Sequence, residues 1–292
     1  MTLSALIPIY NYNAKQLVLD LHGLIQHEHI DAEIILADDA SQEQAEWFED
    51  VRALPKLTLW QAPHNLGRAA IRNKLASMAQ GTWLWFVDCD TALPKRFSFH
   101  AFLDAAQNAD VVCGGTTVPE LPPDGASLRY KYEKKSSRTT IYDRSKAPYR
   151  QLTTCNLFIR KEVFTDIKLC EDIKEYGYED ALFGAELERH NISIAHIANP
   201  IVHLGLESND IFLDKSETAL RTLYRLGDKM RGYSRIQNTV QRLERWHLSG
   251  VVRSVFKLIR EPLRKHLEGR NPSLKAFSFY KLGYYLTLNN QP

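Results

Sequence analysis

Thr82-Trp83-Leu84-Trp85-Phe86-Val87-Asp88-Cys89-Asp90 is an apolar run that stops on two carboxylates one residue apart. The run is too short for a typical helix and shows no alternation with polar residues. It therefore reads as a strand covered on both sides, with Asp88-Cys89-Asp90 at its carboxyl end. Working back toward the N-terminus, the pattern recurs three times: Leu3–Ile9 ends at Tyr10-Asn11-Tyr12-Asn13, Glu33–Ala37 at Asp38-Asp39-Ala40-Ser41, and Leu57–Gln61 leads to Asn65-Leu66-Gly67-Arg68. Between these strands, Gln16–Ile25, Gln42–Val51 and Ala69–Ala79 carry apolar residues at helical spacing. The alternation predicts right-handed βαβ units, hence an α/β fold whose mostly parallel sheet has helices on both faces. Open sheets of this kind bind ligands outside the carboxyl ends of their strands. Four polar clusters that end four strands are thus expected to converge on one site.

Toward the C-terminus, Val111–Gly115 reads as another strand, and 119–150, rich in Pro, Lys, Arg and Tyr, as a long loop or a helix with a basic face. Leu152–Arg160 resumes strand-like sequence. Tyr178-Glu179-Asp180 opens a helix over Ala181–His190, and Ile192–Ala198 and Ile201–Leu204 read as closing strands. No GxGxxG follows the first strand and no GxxxxGK[ST] occurs, which disfavours an NAD enzyme or a P-loop NTPase. The four cysteines stand singly, without zinc or disulfide spacing. The N-terminus has no basic n-region, and no uncharged apolar run reaches the ~18–20 residues of a spanning helix. The expected location is cytosolic, with attachment to a membrane surface open.

Asp88 and Asp90 at a strand end can aim two carboxylates at one point. Hard divalent cations such as Mg²⁺ or Mn²⁺ take oxygen ligands of that kind and bridge phosphates. Arg68 and Arg72, four apart at the start of a helix, share a face suited to phosphate or simply to solvent. Asp38-Asp39-Ala40-Ser41 also suits a turn and helix cap. Trp83, Trp85 and Phe86 lie inside a strand and read as core.

Six motifs now stand in order: Ala5-Leu6-Ile7-Pro8-Ile9-Tyr10-Asn11, Asp38-Asp39-Ala40-Ser41, Asn65-Leu66-Gly67-Arg68 with Arg72-Asn73, Phe86-Val87-Asp88-Cys89-Asp90, Thr154-Cys155-Asn156-Leu157 and Gly177-Tyr178-Glu179-Asp180. In that register they resemble glycosyltransferase family 2, over roughly residues 3–205. The resemblance implies a GT-A fold, a nucleotide-sugar donor (UDP above all), Mn²⁺ or Mg²⁺, and inverting transfer to the hydroxyl of a saccharide or lipid-linked saccharide in surface polysaccharide assembly. It places Pro8, Tyr10 and Asn11 around the nucleotide and gives Asp38 or Asp39 a hydrogen bond to the base. Asn65, Gly67, Arg68 and Arg72 fall toward the diphosphate, and Asp88 and Cys89 beside the nucleotide-sugar. Asp88 and Asp90 become metal ligands, with His203 as a third. Asp180 becomes the base, and Glu179 an acceptor contact. Family members often carry Gly where Ala40 stands. The alternatives are a nucleotidyltransferase making an NDP-sugar, whose Gly-rich N-terminal loop this chain lacks, or a non-catalytic nucleotide-sugar-binding scaffold.

Charge divides along the chain. Residues 221–292 hold 15 Lys+Arg against 4 Asp+Glu, whereas 1–220 hold 22 against 31, so a net charge of +2 conceals −9 and +11. The expected organisation is a catalytic domain over 1–212 and a basic amphipathic helical region over 213–292. Leu248, Val251, Val252, Val255, Phe256, Ile259, Leu263 and Leu267 recur at helical spacing opposite Arg253, Lys257, Arg260 and Arg264, with Pro262 as a candidate kink. Phe277, Phe279, Tyr280, Tyr284 and Tyr285 could sit at lipid headgroup level. The segment 241–292 is expected to meet an anionic membrane, the catalytic domain or a second copy in a homodimer. No nucleic-acid module accompanies its charge.

Overall fold

The computed structural model describes residues 2–42 and 46–288. It divides into two compact units, Met1–Pro119 with Ser137–Lys174 and Phe183–Gly205, and Glu120–Ser136 with Glu175–Leu182 and Leu206–Pro292.

In the first unit, strands β1 (Leu3–Ile9), β2 (Ala32–Asp38), β3 (Leu57–Gln61) and β4 (Trp83–Val87) alternate with helices α1 (Lys15–His27), α2 (Trp47–Arg52) and α3 (Arg68–Met78). Part of the helix expected over Gln42–Val51 lies outside the described residues. Short β5 (Thr91–Ala92), α4 (Phe99–Ala105), β6 (Val111–Cys113) and β7 (Thr116–Thr117) follow. The main sheet has the order β3-β2-β1-β4, then β8 (Asn156–Arg160), β6 and β9 (Ile194–His196). All neighbours are parallel except at β8, which runs antiparallel to both β4 and β6. A second sheet sets β10 (Ile201–His203) between β5 and β7.

Successive residues of each strand feed opposite faces. Trp83, Trp85, Val87, Ala5, Ile7, Leu36 and Phe158 pack with α1, α2 and α4 on one side. Leu84, Phe86, Leu6, Ile35, Leu157 and Ile159 pack with α3 and residues from Phe164 to Leu187 on the other. With both faces dry, burying these side chains contributes about 1.5–3 kcal/mol each. Trp83 and Trp85 are core, as the strand reading required.

The segment 119–150 is helical rather than open loop. It forms α5 (Ser127–Ser137), α6 (Ile141–Ser145) and, from Pro148, a 3₁₀ turn to Gln151. Then come α7 (Lys161–Asp166) and α8 (Glu179–Arg189).

The second unit is built on α9 (Asn209–Leu226), α10 (Arg235–Arg245), α11 (Ser249–Glu268) and α12 (Leu274–Leu288). The buried Asn209 side chain ties three of its elements: Oδ1 accepts from the Leu128 N–H at 2.7 Å, and Nδ2 donates to the carbonyls of Glu268 and Gly269 at 3.3 and 2.9 Å. Glu217 on α9, also buried, accepts from Tyr280 Oη at 2.5 Å and faces Arg260 and Arg264 at 3.4 Å each. A Cβ on Gly283 would overlap the Phe256 ring, so α11 and α12 meet at glycine.

Two expectations for the tail change. Phe277, Tyr280, Tyr284 and Tyr285 are buried inside this unit. Helix α11 runs unbroken through Pro262, and its apolar residues split: Phe256 and Leu267 point inward, while Leu248, Val251, Val255 and Leu258 face solvent. Arg260 and Arg264 turn toward α9, where Glu217 and Asp214 supply their counter-charges.

Candidate functional site

The carboxyl ends of β1 to β4 gather the predicted residues of the first unit. Asp38, at the end of β2, accepts from the Ser41 backbone N–H at 3.2 Å and its hydroxyl at 2.5 Å, with Gln61 Nε2 at 3.5 Å from its other oxygen. Asn11 joins that turn: its N–H donates to Ser41 Oγ at 2.8 Å, and its Oδ1 accepts from the Gln42 N–H at 2.9 Å. Ala40 has φ +59°, a left-handed conformation that glycine adopts more readily. The neighbouring carboxylate does a different task. Asp39 accepts from the Leu66 N–H at 2.6 Å and the Gly67 N–H at 3.0 Å, and Asn65 Nδ2 donates to its carbonyl at 3.1 Å. Both Asp39 oxygens thus brace the loop that opens α3. Gly67 there has φ +87° and ψ 167°, a backbone region essentially reserved for glycine.

Arg72 is 4% exposed. Its guanidinium donates through Nη2 to Asp88 Oδ1 and through Nη1 to the Arg68 carbonyl at 3.0 Å. Its buried Nε–H has no acceptor among the described residues. Burial pushes the Asp88 carboxyl up, yet Arg72 and then Arg68 outweigh it and hold the group below the usual carboxylate range. Asp90 turns to another partner. Its Oδ2 lies 3.2 Å from His203 Nε2, and its carbonyl accepts from the Leu204 N–H at 2.8 Å. The β5–β10 pairing, with His203 opposite Thr91, brings them together. A Cβ on Gly205 would overlap the Asp90 carboxylate, so glycine is what lets the chain pass there.

Among the described residues no group of three or more His, Cys, Asp or Glu side chains is arranged to hold a metal ion. Asp90 and His203 do stand side by side as an oxygen and a nitrogen donor. A hard cation commonly takes one or two protein ligands and completes its shell with phosphate and water, so this pair fits such an ion. The Cys89 thiol is pushed up to about 12 by burial and by Asp90 and Asp88, which keeps it protonated as a wall residue. Tyr12 was not among the predicted site residues. Burial, Asp90 and Cys89 raise its phenol, which places it beside the Asp-Cys-Asp turn; its position in the polar cluster after β1 was the available signal. Asn156, in the Thr154-Cys155-Asn156-Leu157 motif, is structural. Wholly buried, it accepts from Trp85 Nε1 at 2.9 Å and donates to the carbonyls of Gly115 and Asn199 at 2.8 and 2.9 Å.

Glu179 and Asp180 occupy the first turn of α8 and belong to the second unit. The segment before them is stapled to α9. Glu175 pairs with Arg225 at 2.6 Å, Thr222 Oγ1 donates to the Tyr176 carbonyl at 3.2 Å, and a Cβ on Gly177 would overlap Ala219. Tyr178 follows with φ +68°; burial raises its phenol, which is hydrogen-bonded to Ser234. A glycine and a left-handed tyrosine thus turn the chain sharply into α8.

A doubly wound sheet with polar clusters along its carboxyl edge, followed by a helical C-terminal region, defines a GT-A type glycosyltransferase. The chain belongs to glycosyl transferase family 2, whose sequence pattern matches residues 4–168. It is 28% identical over 195 residues, 59% of this chain and 67% of the other, to the Escherichia coli (strain K12) protein WcaA, named as a colanic acid biosynthesis glycosyl transferase. Two solved structures are alike in fold: the mannosyltransferase PcManGT from Pyrobaculum calidifontis with GDP-Man and Mn²⁺ (TM-score 0.57, 13% identity, 98% of this chain and 84% of that), and S. aureus TarS 1-349 with UDP-GlcNAc (TM-score 0.50, 17% identity, 98% and 90%).

Proposed function

We propose that the chain moves a sugar, with inversion at its anomeric carbon, from a UDP-sugar to a hydroxyl of a saccharide or lipid-linked saccharide in surface polysaccharide assembly. The observation that carries this reading is the convergence of four strand ends on the Asp88–Arg72 and Asp90–His203 pairs. In this reading 1–212 is the catalytic domain and 213–292 the region that serves it at the inner face of a membrane.

Tyr10, Asn11, Pro8 and the Asp38 turn receive the nucleoside. Asp39 acts by fixing the Asn65–Gly67 loop against it, and Arg68 and the unanswered Nε–H of Arg72 meet diphosphate oxygens. Asp90 and His203 would hold Mn²⁺ or Mg²⁺, which when bound neutralises charge on the diphosphate. Asp88, kept ionised by Arg72, lines the donor. Transfer is one in-line displacement. The acceptor oxygen bonds to C1, the C1–O bond to the diphosphate breaks with its electron pair leaving on the phosphate, and Asp180 takes the hydroxyl proton. Glu179 orients the acceptor. Titration calorimetry with UDP-, GDP- and dTDP-sugars in Mn²⁺ tests the donor reading. Tight binding of a UDP-sugar that weakens at least tenfold in Asp90→Ala is expected; no binding of any nucleotide-sugar contradicts it.

A further inference from the structure

Helices α10 and α11 expose side chains that the fold of their own unit does not use. Along α11 the residues Leu248, Val251, Val255 and Leu258 recur at spacings of three and four, so they lie on one side of the helix. Val251 is 59% and Leu258 83% exposed. Trp246, 66% exposed, stands at the corner where α10 gives way to α11, and His247 beside it takes φ +56° to make the turn. Single exposed apolar residues are ordinary, but a continuous row that includes a tryptophan marks an interaction surface.

Charge identifies the occupant. Along α10, Arg235, Arg242 and Arg245 are exposed at spacings of seven and three, a basic row that ends beside Trp246. Lys257, Lys265 and Arg270 add exposed cations along and beyond α11. Between 231 and 275 eight lysines and arginines are exposed, against the acids Glu244, Glu261 and Glu268. Arg260 and Arg264 take no part, since they are spent on Glu217 and Asp214. A second copy placed against this surface would oppose cation to cation. An anionic bilayer instead offers phosphates to the basic row and acyl boundary to the apolar one, with tryptophan at the interface between them.

We infer that the α10–α11 corner is a peripheral membrane-docking face, in which Trp246, Leu248, Val251, Val255 and Leu258 enter the headgroup–acyl boundary of an anionic leaflet and Arg235, Arg242 and Arg245 engage its lipid phosphates. No described helix is long and apolar enough to cross a membrane, so the attachment is to one leaflet. The inference deepens the lipid-linked acceptor reading, but its test is independent of transfer activity.

Flotation of the full chain with vesicles of phosphatidylcholine alone, or with 30% phosphatidylglycerol, measures it directly. Wild type is expected to float with the anionic vesicles only and to be released by 0.5 M salt. Val251→Ser with Leu258→Ser, and separately Arg242→Glu with Arg245→Glu, should each reduce the bound fraction at least fivefold while UDP-sugar affinity stays as in wild type. These positions are exposed, and equal melting temperatures would verify that the variants fold as wild type does. Absence of wild-type flotation, binding unaffected by either pair, or a light-scattering dimer dissolved by the serine pair without vesicle binding would overturn the inference, the last assigning the face to a second copy.

Discussion

Neighbouring residues with the same side chain do different work here, and the hydrogen bonds decide which. Asp38 and Asp39 are equivalent on paper, yet the second spends both oxygens on backbone N–H groups of the loop opening α3. Arg68 and Arg72 are equally ambiguous by spacing; only the tertiary fold shows that Arg72 turns back to Asp88, because that ion pair joins residues far apart in sequence. What was legible was the position of each cluster, since an apolar run closed by polar residues marks a strand end without further information. His196, the last residue of β9, illustrates a consequence invisible to sequence. Its Nε2 lies 2.9 Å from the Pro148 carbonyl and its buried Nδ1 has no partner among the described residues. Burial, with Arg144 beside it, lowers its pKa despite the Pro148 bond. An unfolded histidine titrates near 6.5, so below that pH the unfolded chain binds the extra proton and folding weakens; the stability is whole above about 6.5 and lost as the pH falls. The melting temperature should therefore drop further between pH 7.5 and 5.5 in wild type than in His196→Gln. An equal drop in both would show that this imidazole is not responsible.

Elements were read best where burial on both faces left unbroken apolar runs. β1 and β3 fall at the predicted limits, while the antiparallel direction of β8 is not legible in its sequence, because a strand buried on both faces shows the same pattern parallel or antiparallel. The helical region was read less well. An amphipathic pattern locates a helix but not which of its apolar sides is inward, and α11 divides its apolar residues between Phe256 and Leu267 inside and the exposed row outside. The inner side is organised by Glu217, a carboxylate on α9 that holds Tyr280 and faces two arginines of α11. Breaking a buried ion pair by removing one partner costs about 3–5 kcal/mol, whereas one hydrogen bond to a charged group contributes about 1.5–3. In urea denaturation Glu217→Ala should lose roughly 3 kcal/mol and Tyr280→Phe about half of that, with the double variant below their sum. Strict additivity would mean that the two residues act separately.

Over the whole molecule, the split of +2 into −9 and +11 corresponds to a physical division only in part. Part of the tail's positive charge is neutralised internally by Glu217 and Asp214, and the remainder is exposed on α10 and α11. The same helical unit holds Glu175, Tyr176, Gly177 and Tyr178, the residues just before Glu179-Asp180, through Arg225, Thr222, Ala219 and Ser234. A boundary drawn on composition could not show that the tail positions the proposed base, since those contacts link residues some 40 to 60 apart in sequence. The central claim is therefore that the strand-end clusters bind the donor and that Asp180 takes the acceptor proton. Single-turnover transfer from a bound UDP-sugar, compared in wild type and Asp180→Asn, tests it most directly. General-base catalysis contributes about 10²–10⁴-fold, so the variant should transfer at least a hundredfold more slowly while binding the UDP-sugar with unchanged affinity. Transfer at the wild-type rate, or a loss accounted for wholly by weaker donor binding, would contradict the account.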